Sequence, residues 1–220
     1  MRPALTILQL DTHFPRVPGD VACAETYQEE IEIIRIPAAS VGRIVTDRPS
    51  SIDIAPFAEA VRRAQGKIIA TSCGFLAHWQ DHLQTSCTRP VIASALLALS
   101  DLASRGHRPS VLTFDAEKLQ AGHPEVLSKY ADQVIGLSPD MHLRQVIEGD
   151  ATTFDQHRAE TEITALVKDR VTSECQVLLL ECTNLPPYKA ALRHVFKGQI
   201  FDILTGIEAA RPGTVRPRFL

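Results

Sequence analysis

The chain has 220 residues, 45% hydrophobic and 22% charged, with a formal net charge of −3. That is ordinary for a globular protein, long enough for one large domain or two small lobes with a real core. The slight negative charge and scattered Lys and Arg exclude a basic face for nucleic acid and a polybasic run for a membrane surface.

Taken along the chain, aliphatic runs predict strands at 4–10 (ALTILQL), 31–36 (IEIIRI), 67–71 (KIIAT) and 90–93 (PVIA). Four more follow at 110–114 (SVLTF), 133–137 (QVIGL), 176–181 (QVLLLE) and 199–203 (QIFDI). Most are apolar on both faces, as strands are when helices cover both sides of a parallel sheet. The loop DTHFPRVPGDV (11–21) carries two prolines and a glycine and predicts a shaped connection. Residues 53–65 put Ile54, Phe57, Ala58, Val61 and Ala64 on one helical stripe, with Asp53 as the cap. Residues 152–172 place Phe154, Ile163, Leu166, Val167 and Val171 at helical spacing, capped by Thr152 or Thr153. VIASALLALSDLA is apolar, but Ser94, Ser100 and Asp101 break it well short of a membrane span. No targeting segment is expected at the start of the chain. The alternation predicts an α/β protein of two pseudo-symmetric lobes, each a parallel sheet flanked by helices, with the active site in the cleft between them. Residues 1–92 with 195–220 are assigned to the first lobe, and 93–194 to the second.

Five cysteines, an odd number without a CxxC pair, read as free thiols in a reducing cytoplasm. Two of them repeat one arrangement. Cys73 (TSCGF) and Cys182 (LLLECTNLPPY) each follow an aliphatic run and precede a predicted helix. With Asp11 and Thr113 they fall at carboxyl ends of strands, where open α/β sheets bind ligands. A thiol at a helix start meets unpaired N–H groups and the positive end of the helix dipole, which favour thiolate and also attract a carboxylate. Thr183 or Asn184 is a candidate cap of the second helix, and Gly74, lacking a Cβ, would let a substrate oxygen approach the backbone. Two such thiols facing one carbon suit inversion next to a carboxylate: one takes the α-proton and the other returns one from the opposite face.

The segments LQLDT, TSCGF and ECTN resemble the aspartate/glutamate (and hydantoin) racemase family over nearly the whole chain. The resemblance implies a cofactor-independent racemase or epimerase with two lobes, one catalytic cysteine from each, and a homodimeric assembly. It makes Cys73 and Cys182 the acid/base pair acting on a small-molecule carboxylate or amino acid. It makes Gly74, Phe75, Thr183 and Asn184 carboxylate binders, sets Asp11 and Thr12 beside the amino group, and lets Thr113 contact substrate. Glutamate racemases carry Cys-Asn-Thr and Cys-Thr-His where this chain has Cys-Gly-Phe and Cys-Thr-Asn, so a substrate other than glutamate is expected. Arg16 is a candidate for a second substrate carboxylate, and Tyr188 for closing over the site.

Other readings of these residues stand beside that one. Buried cysteines are more often packing than catalysis, as expected for Cys23, Cys87 and Cys175. His78 and His82, at i and i+4, have a metal-binding spacing but read as solvated helix surface. Asp11 has a second use, capping the turn after its strand. No GxGxxG or GxxxxGK[ST] appears for a dinucleotide or ATP. The competing activities are a maleate isomerase or decarboxylase of the same superfamily, a hydrolase pairing Cys73 with His78, and a binding protein without turnover.

Overall fold

The computed structural model describes residues 2–220. Eight strands form two four-stranded parallel sheets. β1 (Leu5–Gln9), β2 (Ile31–Arg35), β3 (Ile68–Thr71) and β4 (Val91–Ile92) lie in the order β2-β1-β3-β4. β5 (Ser110–Thr113), β6 (Val134–Gly136), β7 (Val177–Leu180) and β8 (Gln199–Phe201) lie in the order β6-β5-β7-β8. The second order is the first with four added to each strand, so the two lobes share one topology although their sequences do not repeat. All eight predicted strands are present.

The central strands β1, β3, β5 and β7 are buried at every position, which is why they read as unbroken aliphatic runs. One apolar core runs from Leu8 and Ile69 in the first sheet to Leu112 and Leu179 in the second. A smaller core covers the other face of the first sheet, where Leu5, Ile7, Ile68 and Ala70 meet Ile203, Leu204, Ile207 and Val215. The chain therefore returns to the first lobe, but later than residue 195. β8 pairs with β7 and completes the second sheet, and the chain crosses back only from the helix Ile203–Ala210 onward. Asp202 marks the crossing. Its side chain accepts from Thr205 N–H at 2.9 Å, capping that helix, and pairs with the buried Lys189 at 2.8 Å.

The helices predicted over 53–65 and 152–172 are present in shortened form. The helix Ala55–Arg63 begins where Asp53 accepts from Ala55 N–H, and its predicted apolar stripe is buried. The helix Gln156–Arg170 is capped by Asp155, which accepts from Arg158 N–H at 3.0 Å, not by Thr152 or Thr153. A carboxylate next to the first turn serves as well as a hydroxyl there and also suits the helix dipole. No helix among the described residues is long and apolar enough to cross a membrane.

Candidate active site

β3 ends at Thr71 and β7 at Leu180, so Cys73 and Cys182 stand the same two residues beyond equivalent strands. Both are nearly buried, and both line one pocket with an empty volume of about 370 Å³. Thr183 ties their loops together across the lobes, its hydroxyl donating to Ser72 C=O at 2.7 Å. Leu10, Val41, Val45, Phe114 and Ile147 give the pocket a largely apolar wall.

Of the predicted site residues, Thr12, Arg16, Gly74, Phe75, Thr183 and Asn184 line this pocket with the two cysteines. Asp11 does not. Its carboxylate turns outward to accept from Ala38 N–H at 3.0 Å and lies 3.9 Å from Arg35. Ala38 has a φ of 60°, a conformation an alanine holds only when braced, and Asp11 is the brace. Thr113 also stands behind the lining, with its hydroxyl donated to Glu181 at 2.6 Å. Tyr188 faces a neighbouring cavity beside Phe154 rather than closing this one. No histidine is among the lining residues, so His78 is not placed to serve Cys73.

Arg16 is held in place by the protein itself. Its guanidinium donates to both Asp20 oxygens at 3.2 and 3.3 Å and to Thr12 Oγ1 at 3.0 Å, and it lies 4.2 Å over the Phe14 ring. Asp20 in turn accepts from Asn184 Nδ2 at 2.6 Å, and Asn184 Oδ1 lies 3.7 Å from Cys182 Sγ. The Asn184 and Thr183 side chains are thus spent on Asp20 and Ser72 and do not cap a helix. The helical turns after Cys182 begin only at Pro186.

The residue missed in the sequence is Glu181. It is 1% exposed, lines the pocket, and sits in the chain directly before Cys182. A Cβ at Gly74 would overlap its Oε1 and stand 2.6 Å from its carbonyl oxygen. The glycine is therefore required by Glu181, and substrate approach is not needed to explain it. The available signal was a charged residue closing an otherwise aliphatic run.

Burial, with Glu181 adding to it, reverses the expected thiol electrostatics. Burial pushes Cys73 up to about 12, and Glu181 adds to the rise. Burial and then Glu181 push Cys182 well above its ordinary value. The N–H groups of Phe75 and Asn184, each two residues beyond its sulfur, oppose this without overcoming it. Burial likewise pushes Glu181 up to about 7, against the Thr113 hydroxyl. These shifts favour the thiol form of both sulfurs. Among the described residues no group of three or more His, Cys, Asp or Glu is arranged to hold a metal ion.

Comparison with known proteins agrees with this architecture. The family model described as Asp/Glu/Hydantoin racemase matches residues 22–209. Dimethylsulfoniopropionate lyase 5 of Emiliania huxleyi is 30% identical over 94% of this chain, which spans only 44% of that protein's length. Dimethylsulfoniopropionate lyase 7 of the same organism is 25% identical over 99% of this chain and 69% of its own. Among solved structures, allantoin racemase from Pseudomonas fluorescens superimposes with a TM-score of 0.63 at 15% identity, covering 98% of this chain and 95% of the other. Paired four-stranded parallel sheets, a strand-end cysteine from each, and a profile match over most of the sequence place the chain in the Asp/Glu/hydantoin racemase family.

Proposed function

We infer that the protein removes a proton from the carbon next to a substrate carboxylate, with Cys73 and Cys182 addressing opposite faces of that carbon. The supporting observation is the shared pocket, entered by the two sulfurs from equivalent positions of two equivalent sheets. One sulfur works as thiolate and the other as thiol. The Phe75 and Asn184 N–H groups are the donors that favour the ionised sulfur. In the finer reading, returning a proton from the second face inverts the carbon, as in a cofactor-independent racemase or epimerase. The five free cysteines are in keeping with a cytoplasmic setting.

A second reading, β-elimination, is favoured by the two lyase-named relatives. The pocket bears on the choice too: Asp11 faces outward and Asp20 is taken by Arg16 and Asn184, which leaves the Glu181 carboxyl as the acid of the lining open to an α-ammonium. In elimination the α-proton passes to a thiolate and the C–H electron pair becomes the new C=C bond. The bond from the β-carbon to the leaving group breaks, and a sulfonium group departs as a neutral sulfide. One experiment separates the two. The protein is incubated in D2O with L- and D-amino acids and, in parallel, with dimethylsulfoniopropionate. Deuterium at the α-carbon of both enantiomers supports inversion, whereas dimethyl sulfide with acrylate supports elimination. Neither product from any of these substrates would overturn α-proton abstraction for this set.

A further inference from the structure

Glu181 is a buried acid for which the two-thiol reaction has no use. Its Oε2 is engaged by Thr113, while Oε1 is buried without a hydrogen-bond partner, against Gly74 and between the two cysteine loops. An ionised carboxylate with one hydroxyl donor is an expensive thing to bury. A neutral carboxyl costs less, but its proton then needs an acceptor. On Oε1 that proton finds no partner within hydrogen-bond distance: the neighbouring sulfurs are thiols, and Arg16, the basic residue of the lining, is a donor already paired with Asp20. An arriving substrate carboxylate supplies what is missing.

We propose that Glu181, as a neutral carboxylic acid, donates a hydrogen bond from Oε1 to the carboxylate of the substrate, and so selects acids for this pocket. The proposal rests on the reading of the site as a carboxylate pocket. It extends that reading by naming a binder whose hydrogen bond strengthens as negative charge moves onto the carboxylate oxygens during proton removal. A carboxylic acid kept neutral by an apolar site is a known way to donate to such an oxyanion.

The charged and titratable groups facing Glu181 are Cys73 from the end of β3, Cys182 next in the chain, and the Arg16–Asp20 pair from the loop after β1. The thiols stay protonated well beyond neutral pH. Between about pH 6 and 9, Glu181 is therefore the lining group expected to titrate, at about 7.

The test uses propionate, titrated calorimetrically into the protein over that range. Affinity should fall by up to about tenfold per pH unit above the Glu181 midpoint, because only the protonated form binds. Repeating the titration near pH 8 in buffers of different ionisation enthalpy should show close to one proton taken up per propionate bound. Glu181→Gln keeps a donor but cannot titrate, so its affinity should be flat with pH and its proton uptake should vanish. Glu181→Ala should lose at least about tenfold in affinity at pH 6. The idea is wrong if wild-type protein takes up no proton, binds no propionate at any pH, or binds it better as pH rises. The wild-type result decides even where a variant fails to fold. Proton-linked binding without turnover of any acid would sink α-proton abstraction and leave Glu181 as the binder. Turnover without proton uptake would do the reverse.

Discussion

Glu181 carries a stability signature as well as a binding one. Its carboxyl titrates at about 7 in the folded protein against an ordinary 4.5. The folded state holds that proton more tightly, so the contribution is complete below about pH 4.5 and is lost as pH rises through about 7. The loss amounts to about 3 kcal/mol. Glu181→Gln removes the titration, so in urea melts the variant should gain on the wild type between pH 5 and 8. A gap that stays constant with pH would mean that Glu181 is ionised throughout. The thiols make a separate prediction under the proposed chemistry. Serine at Cys73 or Cys182 should lower turnover by at least about 100-fold. Serine at Cys87 or Cys175 should leave it largely intact, since those sulfurs bond backbone carbonyls away from the pocket. At this scale the sequence exposed the cysteines, because a thiol after an aliphatic run followed by Gly or Thr is an uncommon pattern. It hid Glu181, because a carboxylate ending a strand ordinarily marks the edge of the core.

Among the elements, the crossing from β8 to the helix Ile203–Ala210 is the most exposed to mutation. Lys189 and Asp202 are both buried and form the ion pair there. Lys189→Met leaves a buried carboxylate unpaired and should cost about 3–5 kcal/mol in denaturant melts. Adding Asp202→Asn should recover part of that loss, since the uncompensated charge is then gone. Strand positions were legible because burial on both faces of β1, β3, β5 and β7 leaves no polar phase to confuse the pattern. The end of the second lobe was misjudged because QIFDI reads the same at either sheet. Only its register, Leu178 against Ile200, assigns it to β7.

Across the whole molecule, the loop that brings Thr12, Phe14 and Arg16 to the pocket is fastened to the second lobe at Asp150 as well as through the Asp20–Asn184 bond. Asp150, itself at a φ of 45°, accepts from the N–H groups of His13 and Phe14 and lies 2.8 Å from His13 Nδ1. Burial works to raise the Asp150 carboxyl, but these His13 and Phe14 bonds outweigh it and hold it below the ordinary range. The fastening is therefore complete above the ordinary Asp value and lost as pH falls through the depressed one. Asp150→Ala should raise KM roughly tenfold with a smaller change in kcat, as expected when a loop no longer rests in its closed position. An unchanged KM would show that the loop holds its place without this contact. Nothing local announces a partner 137 residues away, just as nothing announced Asp20 beneath Asn184. Both contacts exist only once two lobes are docked.

The late return of the chain also bears on how the molecule is made. Leu5, Ile7, Ile68 and Ala70 wait for Ile203, Leu204, Ile207 and Val215 to cover them. On a ribosome, the first sheet is translated long before its own lid, so one greasy face stays open while the whole second lobe is synthesised. That window favours chaperone capture or sticking between nascent chains, and it makes final closure a long-range step that pays its loop entropy last.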